Sequence, residues 1–550
     1  MRSYADVVVG DVRPAILVLF AAVGLVLLIA SANVANLLLL RGEARRPELA
    51  VRAALGASRS RLARQLLAES LLLALAGGLV GLTGARWLLQ GAVALVPGGL
   101  PRVESIRIDP AVGLFTFAVA LLAAALAGIA PAFLTTRLDL AAQLRVGRQV
   151  GGGAGRHGRR VLLVAQVALA VTIVAAAGLL ARSLWRLQAV DMGLAADRLV
   201  FVYFSPAATK HPERARPLPQ FLEDVIAQLE AVPGIDGATP VNTPPFAGTA
   251  GWDLPTFTAE GQSSERAERN PSVNLEAIHP NYFSTFQVPL VSGRVFTKDD
   301  RAGAPEVAIV SEDLAARVWP GQDPIGRRLK FGRLEFKDPW RTIVGVVKPT
   351  RYRELPEPRP TLYLPAPQFM VTAPMLVLRT SLPLRLVAGL TRARVQAVDP
   401  NVEVMRVAPF AELLAGPLAR PRFNAFLIAT FGVTALLLAA VGLYAVMAAY
   451  ARQRYPEIGI RVALGATASD VRRLVLGEGL RLAGLGAAIG LVGAAAGTRT
   501  LRGLLFGVHP LDPTSVLGAA LLLVGAAALA SYLPARRATR VDPVKMLRSE

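Results

Sequence analysis

"PEIGIRVALGAT", Pro456–Thr467, decides how this chain is read, because "PELAVRAALGAS", Pro47–Ser58, precedes it by 409 residues and matches it at most positions. Each copy sits between long apolar blocks, and neither is apolar enough to cross a bilayer itself. As local chemistry, each encodes a short amphipathic helix. Pro47 and Pro456 suit a first helical turn, where a missing N–H costs nothing. Glu48 and Glu457 follow, near the positive end of the helix dipole. Arg52 and Arg461 stand four residues further on, the favourable order for a surface pair of about 0.3 kcal/mol. Leu49, Ala53 and Leu55 supply an apolar side in the first copy. Gly56 and Gly465 can take the left-handed conformation that ends a helix. Ser58 and Thr467 can then cap the helix that follows.

The blocks around the motif set the fold class. About 20 apolar residues cross a bilayer as a helix, and seven blocks reach that length: 15–40, 66–96, 111–134, 160–182, 423–451, 474–497 and 514–535. A soluble protein would need seven core helices without a polar face, which surface helices do not show. The net charge of +21 could point to nucleic acid, but its placement argues against that partner. Segments 41–65, 136–159, 452–473 and 536–550 hold most of the excess, whereas 97–110 and 498–513 hold two Arg each. This is the positive-inside pattern. It predicts a cytoplasmic C-terminus, an outside N-terminus and basic segments facing lipid headgroups.

Residues 183–422 form the long stretch between spans, which this topology places outside. Its β-rich runs are Leu199–Phe204, Val307–Val310, Thr342–Val347 and Met375–Leu378. Helical patterns cover Pro219–Ala231, Leu384–Val398, and Ser311–Val318 with Ser311 as a possible N-cap. The expected fold class is therefore an α-helical polytopic membrane protein with an α+β outer domain, long enough for two subdomains. "VGRQVGGGAGRHGRR" (146–160) reads as a flexible linker.

The halves repeat. Glu69 aligns with Glu478 at the 409 offset, and after the next loop Asp109-Pro110 aligns with Asp512-Pro513 at an offset of 403. The expected organisation is a residual outer segment 1–14, a three-helix unit 15–134, a cytoplasmic linker 135–159, a span 160–182, the outer domain 183–422, a second three-helix unit 423–535 and a basic tail 536–550. Two like units of one orientation imply a pseudo-two-fold axis along the membrane normal. "YADVVVGDVRP" reads as the tail of a lost domain, so the first unit is expected to be a truncated copy.

Little in the chain looks catalytic. It has no cysteine and no G-x-x-x-x-G-K-[ST] phosphate loop. His157, His211, His279 and His509 are dispersed without metal-ligand spacing. No cofactor or metal is expected. Glu69 and Glu478 are carboxylates at span ends, read as snorkelling or pairing between helices. Trp87 and Trp185 read as interfacial anchors.

With "PEIGIRVALGAT" before a span and "YLPARRATRVDPVKMLR" at the end, the chain resembles the permease subunits of the MacB/FtsX/LolE class of ABC transporters. "LLARSLWRLQAVDMGL", "NYFSTFQVPLVSGRVFTKDD", "VAIVSEDLAARVWPGQDPIGRRLKFG" and "TIVGVV" resemble the first helix and periplasmic domain of that class. The duplicated arrangement resembles tandem MacB-like permeases. The resemblance implies a bacterial inner-membrane protein that is not itself an enzyme. Its partners would be a separate cytoplasmic ATPase, and a periplasmic adaptor or outer-membrane component. It also implies that Glu48, Arg52 and Gly56, with Glu457, Arg461 and Gly465, touch the ATPase, and that ATP-driven closure moves the periplasmic domain by mechanotransmission. An FtsX-like signalling scaffold uses the same motif and stays open as an alternative. A secondary transporter fits less well, because the blocks lack the polar, broken helices such proteins place at the midplane.

Overall fold

The computed structural model describes residues 13–44, 68, 72, 75–90, 109–119, 121–122, 153–205, 217–248, 251–369, 375–509 and 512–539. In chain order its principal helices are α1 (Arg13–Ala44), α2 (Gly153–Gln188), α3 (Leu218–Glu230), α4 (Leu384–Val398), α5 (Phe410–Gln453), α6 (Tyr455–Ala463), α7 (Ala468–Leu501) and α8 (Pro513–Ala538). The chain divides into two compact units, Met1–Gln188 with Ala419–Glu550, and Ala189–Leu418.

In the first unit, five helices among the described residues are long and apolar enough to cross a membrane: stretches of α1, α2, α5, α7 and α8. The expectation of seven spans is met only that far. The blocks 66–96 and 111–134 lie partly outside the described residues and are helical at 75–90 and over Pro110–Val119. The expected linker 135–159 needs a correction, because α2 already begins at Gly153. Glycine disfavours helix by about 1 kcal/mol per residue, but extending an existing helix adds one hydrogen bond per residue fixed. The apolar run that follows carries the helix back through "GAGRHGRR". Likewise α5 starts at Phe410, ahead of the apolar block at 423.

A shared core joins the five spans. Ile29 of α1, Val167, Ala170 and Val171 of α2, Ala435 and Ala439 of α5, Ala487 of α7 and Leu523 of α8 are all buried in it. Small residues let the helices approach, as is usual between membrane helices. A Cβ at Gly490 of α7 would meet the Ala168 carbonyl oxygen of α2 at 2.4 Å, and Thr172 Oγ1 donates to the Gly490 carbonyl at 3.0 Å. The repeat shows in its caps. Asp109 Oδ1 accepts the Val112 N–H at 2.8 Å, and Asp512 Oδ2 accepts the Ser515 N–H at 2.9 Å. Both carboxylates thus cap a Pro-led helix at the third residue.

The second unit holds two sheets. Its strands are β1 (Leu199–Ser205), β2 (Ile235–Val241), β3 (Asp253–Leu254), β4 (Phe257–Ala259), β5 (Val273–Ile278), β6 (Leu290–Gly293), β7 (Val307–Ser311), β8 (Arg328–Phe331), β9 (Arg341–Val347), β10 (Thr361–Pro365), β11 (Met375–Thr380) and β12 (Glu403–Pro409). One sheet runs β12-β1-β11-β2; the other runs β3-β5-β10-β7-β9-β8-β4, with β6 paired to β9. Successive strand residues face opposite sides, and the cores follow that alternation. Val200, Val202 and Phe204 of β1, with Leu376 and Leu378 of β11, pack among residues of α3 and α4. Leu199 and Phe201, with Met375 and Val377, enter an aromatic core shared with Tyr282, Phe286, Ile309 and Tyr363. On the second sheet, Ala308, Val310, Leu362 and Leu364 pack with Leu314 and Val318 of the short helix Glu312–Val318. The layers are helix, sheet, aromatic core, sheet, helix, so the expected α+β domain is built as two sheet layers. Ser311 does not cap by its side chain. Its Oγ accepts the Thr361 N–H from β10 at 2.9 Å instead, because Ser311 is still in strand β7 and faces that neighbour.

Candidate functional site

Helix α6 is the second copy of the repeated motif. Pro456 lies in its first turn and Glu457 follows. Glu457 Oε1 accepts from Arg461 Nη2 at 2.7 Å, the i,i+4 pair the spacing implies, and Arg454 Nε approaches the same carboxylate at 3.5 Å. The helix ends in a Schellman turn. The Gly465 N–H donates to the Val462 carbonyl at 3.0 Å and the Ala466 N–H to the Arg461 carbonyl at 2.9 Å. Gly465 carries the left-handed φ of 97° that this turn requires. Thr467 then opens α7 with a reciprocal cap. Its N–H donates to Asp470 Oδ2 at 2.9 Å, and the Asp470 N–H returns to Thr467 Oγ1 at 3.4 Å. This is a capping box with Asp in the usual Glu position.

Packing decides what this knob can do. Ile458 is 1% exposed and sits among Ala451 of α5, Val471 and Val475 of α7, and Ala535 and Ala538 of α8. Ile458 therefore seats α6 on three spans at once, with Tyr455 and Val462 of the same helix partly buried beside it. The opposite face is bare: Ile460 is 54% exposed and Leu464 82%. Leu49, Ala53 and Leu55 of the first copy lie outside the described residues; in the second copy Leu464, at the position equivalent to Leu55, belongs to the outer face. The Schellman turn redirects the chain there, so helical spacing no longer places it. Glu457, Arg461 and Gly465 are brought together as expected; Glu48, Arg52 and Gly56 lie outside the described residues.

The knob connects inward. The Arg454 guanidinium lies 4.7 Å from the Tyr450 ring centre, a cation–π distance. Tyr450 lines a small recess with Arg160, Gln453 and Glu478. There Arg160 of α2 donates to Glu478 of α7 at 2.6 Å. Glu478, expected to snorkel or pair, pairs; its counterpart Glu69 lies outside the described residues. At the far end of α2, Arg182 donates to Asp512 at 2.8 Å, and Asp512 also accepts from Thr514 and from Ser515. These contacts hold its carboxyl down at about 2, with the Thr514 hydroxyl the largest cause. Sequence reasoning passed over Arg160 and Arg182. Their 22-residue separation, about 33 Å of helix, was the signal, because it matches one hydrocarbon thickness.

In the second unit the main buried charge is Glu276 of β5, paired with Arg353 at 2.8 Å. Burial pushes its carboxyl up to about 7, with Arg353 opposing. His279 is pushed down to about 4 by burial and is neutral at pH 7. No group of three or more His, Cys, Asp or Glu positioned to hold a metal occurs among the described residues.

Comparison with known families agrees with this layout. The FtsX-like permease C-terminal model matches residues 20–140 and again 429–543, and the MacB-like periplasmic core domain matches 161–398. The macrolide export ATP-binding/permease protein MacB of Azoarcus sp. is 26% identical over 281 residues, 49% of this chain and 42% of that protein. The probable syringafactin export ATP-binding/permease protein SyfD of Pseudomonas syringae pv. tomato is 24% identical over 355 residues, 61% of this chain and 48% of that protein. The chain thus spans under half the length of these curated relatives. The periplasmic region of MacB from Actinobacillus actinomycetemcomitans aligns at 13% identity and a TM-score of 0.28, covering 40% of this chain and 92% of that one.

Proposed function

Because the chain belongs to the MacB/FtsX class of ABC transporter permeases, we propose that it is the membrane subunit through which a separate cytoplasmic ATPase drives a periplasmic domain. In this reading α6 and its counterpart at 47–58 are the docking knobs. Glu457, Arg461 and Gly465, with Glu48, Arg52 and Gly56, shape the surfaces that meet the ATPase. Ile460 and Leu464 supply the apolar contact. ATP-driven closure displaces the knob, Ile458 passes the displacement to α5, α7 and α8, and the domain at 183–422 changes shape outside. The work done is export by mechanotransmission, in which substrate need not pass between the helices. A periplasmic adaptor or outer-membrane component would receive that motion. The N-terminus is outside and the C-terminus cytoplasmic, as the Lys and Arg bias favours.

The observation that carries this reading is the two-sided character of α6. A bare face with an ion pair and two apolar side chains looks outward, and the buried Ile458, with Tyr455 and Val462 beside it, links the helix to three spans. A helix that only oriented a span would need no such link. The sequence contains no phosphate-loop motif, and a separate ATPase is part of the proposal.

Co-purification with a candidate ABC ATPase tests the docking. Arg52→Glu with Arg461→Glu should lower recovery at least tenfold at equal membrane levels. Full retention by the folded double variant would overturn the assignment. A reporter inserted within 189–418 that reads cytoplasmic would overturn the topology.

A further inference from the structure

The two halves of the membrane unit meet at a buried polar node. By the 409-residue offset, α1 corresponds to the membrane part of α5, and Asn33 corresponds to Gly442. These counterparts touch: a Cβ added at Gly442 would lie 2.3 Å from Asn33 Oδ1. Between two like units, a position that meets its own counterpart lies on the two-fold axis. The node therefore marks the pseudo-symmetry axis. Asn33 Nδ2 donates to the Leu438 carbonyl of α5 at 2.7 Å. Gln166 Nε2 of α2 donates to the same carbonyl at 2.8 Å and to Asn33 Oδ1 at 3.0 Å. Asn33 is 7% exposed and Gln166 0%.

A second amide stands nearly one turn along α1. Asn36 is 1% exposed, and neither its Nδ2 nor its Oδ1 has a hydrogen-bond partner; Gln166 Oε1 is also unpaired. Positions 29, 33 and 36 share one face at 3.6 residues per turn. Ile29, fully buried against α2 and α5, shows that this face looks toward the node. An unpaired buried amide is costly, and leucine would serve adhesion better.

We infer that Asn33 and Asn36 are two alternative stops for α1 on the Leu438 carbonyl. If α1 moves by three residues, about 4.5 Å along its axis with a rotation of about 60°, Asn36 takes the carbonyl and Asn33 releases it. Each stop pairs one asparagine and strands the other, so neither register dominates through hydrogen bonding. Gly442 leaves the lane open, since any Cβ there would block the amides. One-turn ratchets between packed helices are an established kind of switch. The two halves of the permease can then shift register across their axis while Gln166 stays on the same carbonyl. This device is independent of ATPase docking.

The cysteine-free sequence permits a direct test by disulfide trapping of the full chain in native membranes. Ile29→Cys with Ala439→Cys reports the observed register, in which both positions share one packed cluster. Ala32→Cys with Ala439→Cys reports the shifted register, because residue 32 then stands where 29 stood. The second pair is expected to form more slowly than the first but measurably. Asn33→Leu should raise the second pair's rate at least tenfold, and Asn36→Leu should abolish that pair and leave the first intact. The inference is overturned if Asn36→Leu leaves the second pair's rate unchanged. It is equally overturned if the second pair forms neither in the parent nor with Asn33→Leu. Asn36→Leu removes an unpaired amide and is expected to insert at parental levels, so its result decides the matter even if Asn33→Leu fails to fold.

Discussion

Replacing Ile458 by alanine should unseat α6 without touching its outer face. Ile458 is 1% exposed, and three of its neighbours, Ala451, Ala535 and Ala538, have no side-chain reach with which to fill a gap. A poorly collapsing site puts the loss at about 2–4 kcal/mol. Every 1.4 kcal/mol is a factor of ten, so the seated population should fall about 30- to 700-fold. Hydrogen exchange of the full chain in nanodiscs reads this directly. The amides of Leu464, Gly465 and Ala466, bonded to the carbonyls of Ile460, Val462 and Arg461, should lose protection by that factor. Ile460→Ala is the control: its side chain is 54% exposed, and protection should change by less than about threefold. If Ile458→Ala also stays within threefold, the buried isoleucine is not what holds α6, and it cannot be the proposed route from the knob to the spans.

The Arg160–Glu478 pair should show a coupling of about 1–2 kcal/mol in a double-alanine cycle read by thermal unfolding in detergent, reduced from a buried-pair value because Arg160 is 43% exposed; additive single losses would deny the pair. Gly465→Ala should cost about 1–2 kcal/mol, since φ is 97° and only the backbone is strained. Gly477→Ala, on an open face of α7, should instead gain about 0.5–1 kcal/mol; the same melting assay checks that the signs are opposite. Glu276 is raised to about 7 when folded, above an unfolded value of about 4.3. Its stabilising contribution is complete below the unfolded value and is lost as pH rises through about 7. Melting temperatures of the parent at pH 5 and pH 8 should therefore differ more than those of Glu276→Gln; equal differences would contradict the shift.

The sequence carried the periodic and the local features well. Apolar blocks located α1, α2, α5, α7 and α8, because spanning helices declare themselves by length and composition. Runs rich in Val, Ile and Phe located β1, β7, β9 and β11, whose two faces are both buried. The Glu457–Arg461 pair, the turn at Gly465 and the cap at Thr467 were legible because each depends on residues within four positions. What stayed hidden depends on distant partners. Nothing local shows that Arg160 meets Glu478, that Ser311 answers Thr361 and not its own helix, or that Leu464 turns outward. Asn33 and Gln166 look like stray amides in apolar blocks until the repeat and the packing place them on one axis.

The two ion pairs on α2 also make the protein a gauge of its bilayer. Arg160 is held by α7 and Arg182 by α8, with about 33 Å of helix between them. A helix clipped at both ends resists adjusting to a thinner or thicker hydrocarbon layer by sliding past its neighbours. The three helices must tilt as a block, or the lipid must stretch or compress around them. Acyl-chain length is therefore expected to act on helices that seat α6, which makes bilayer thickness a variable to control when the proposed coupling is assayed.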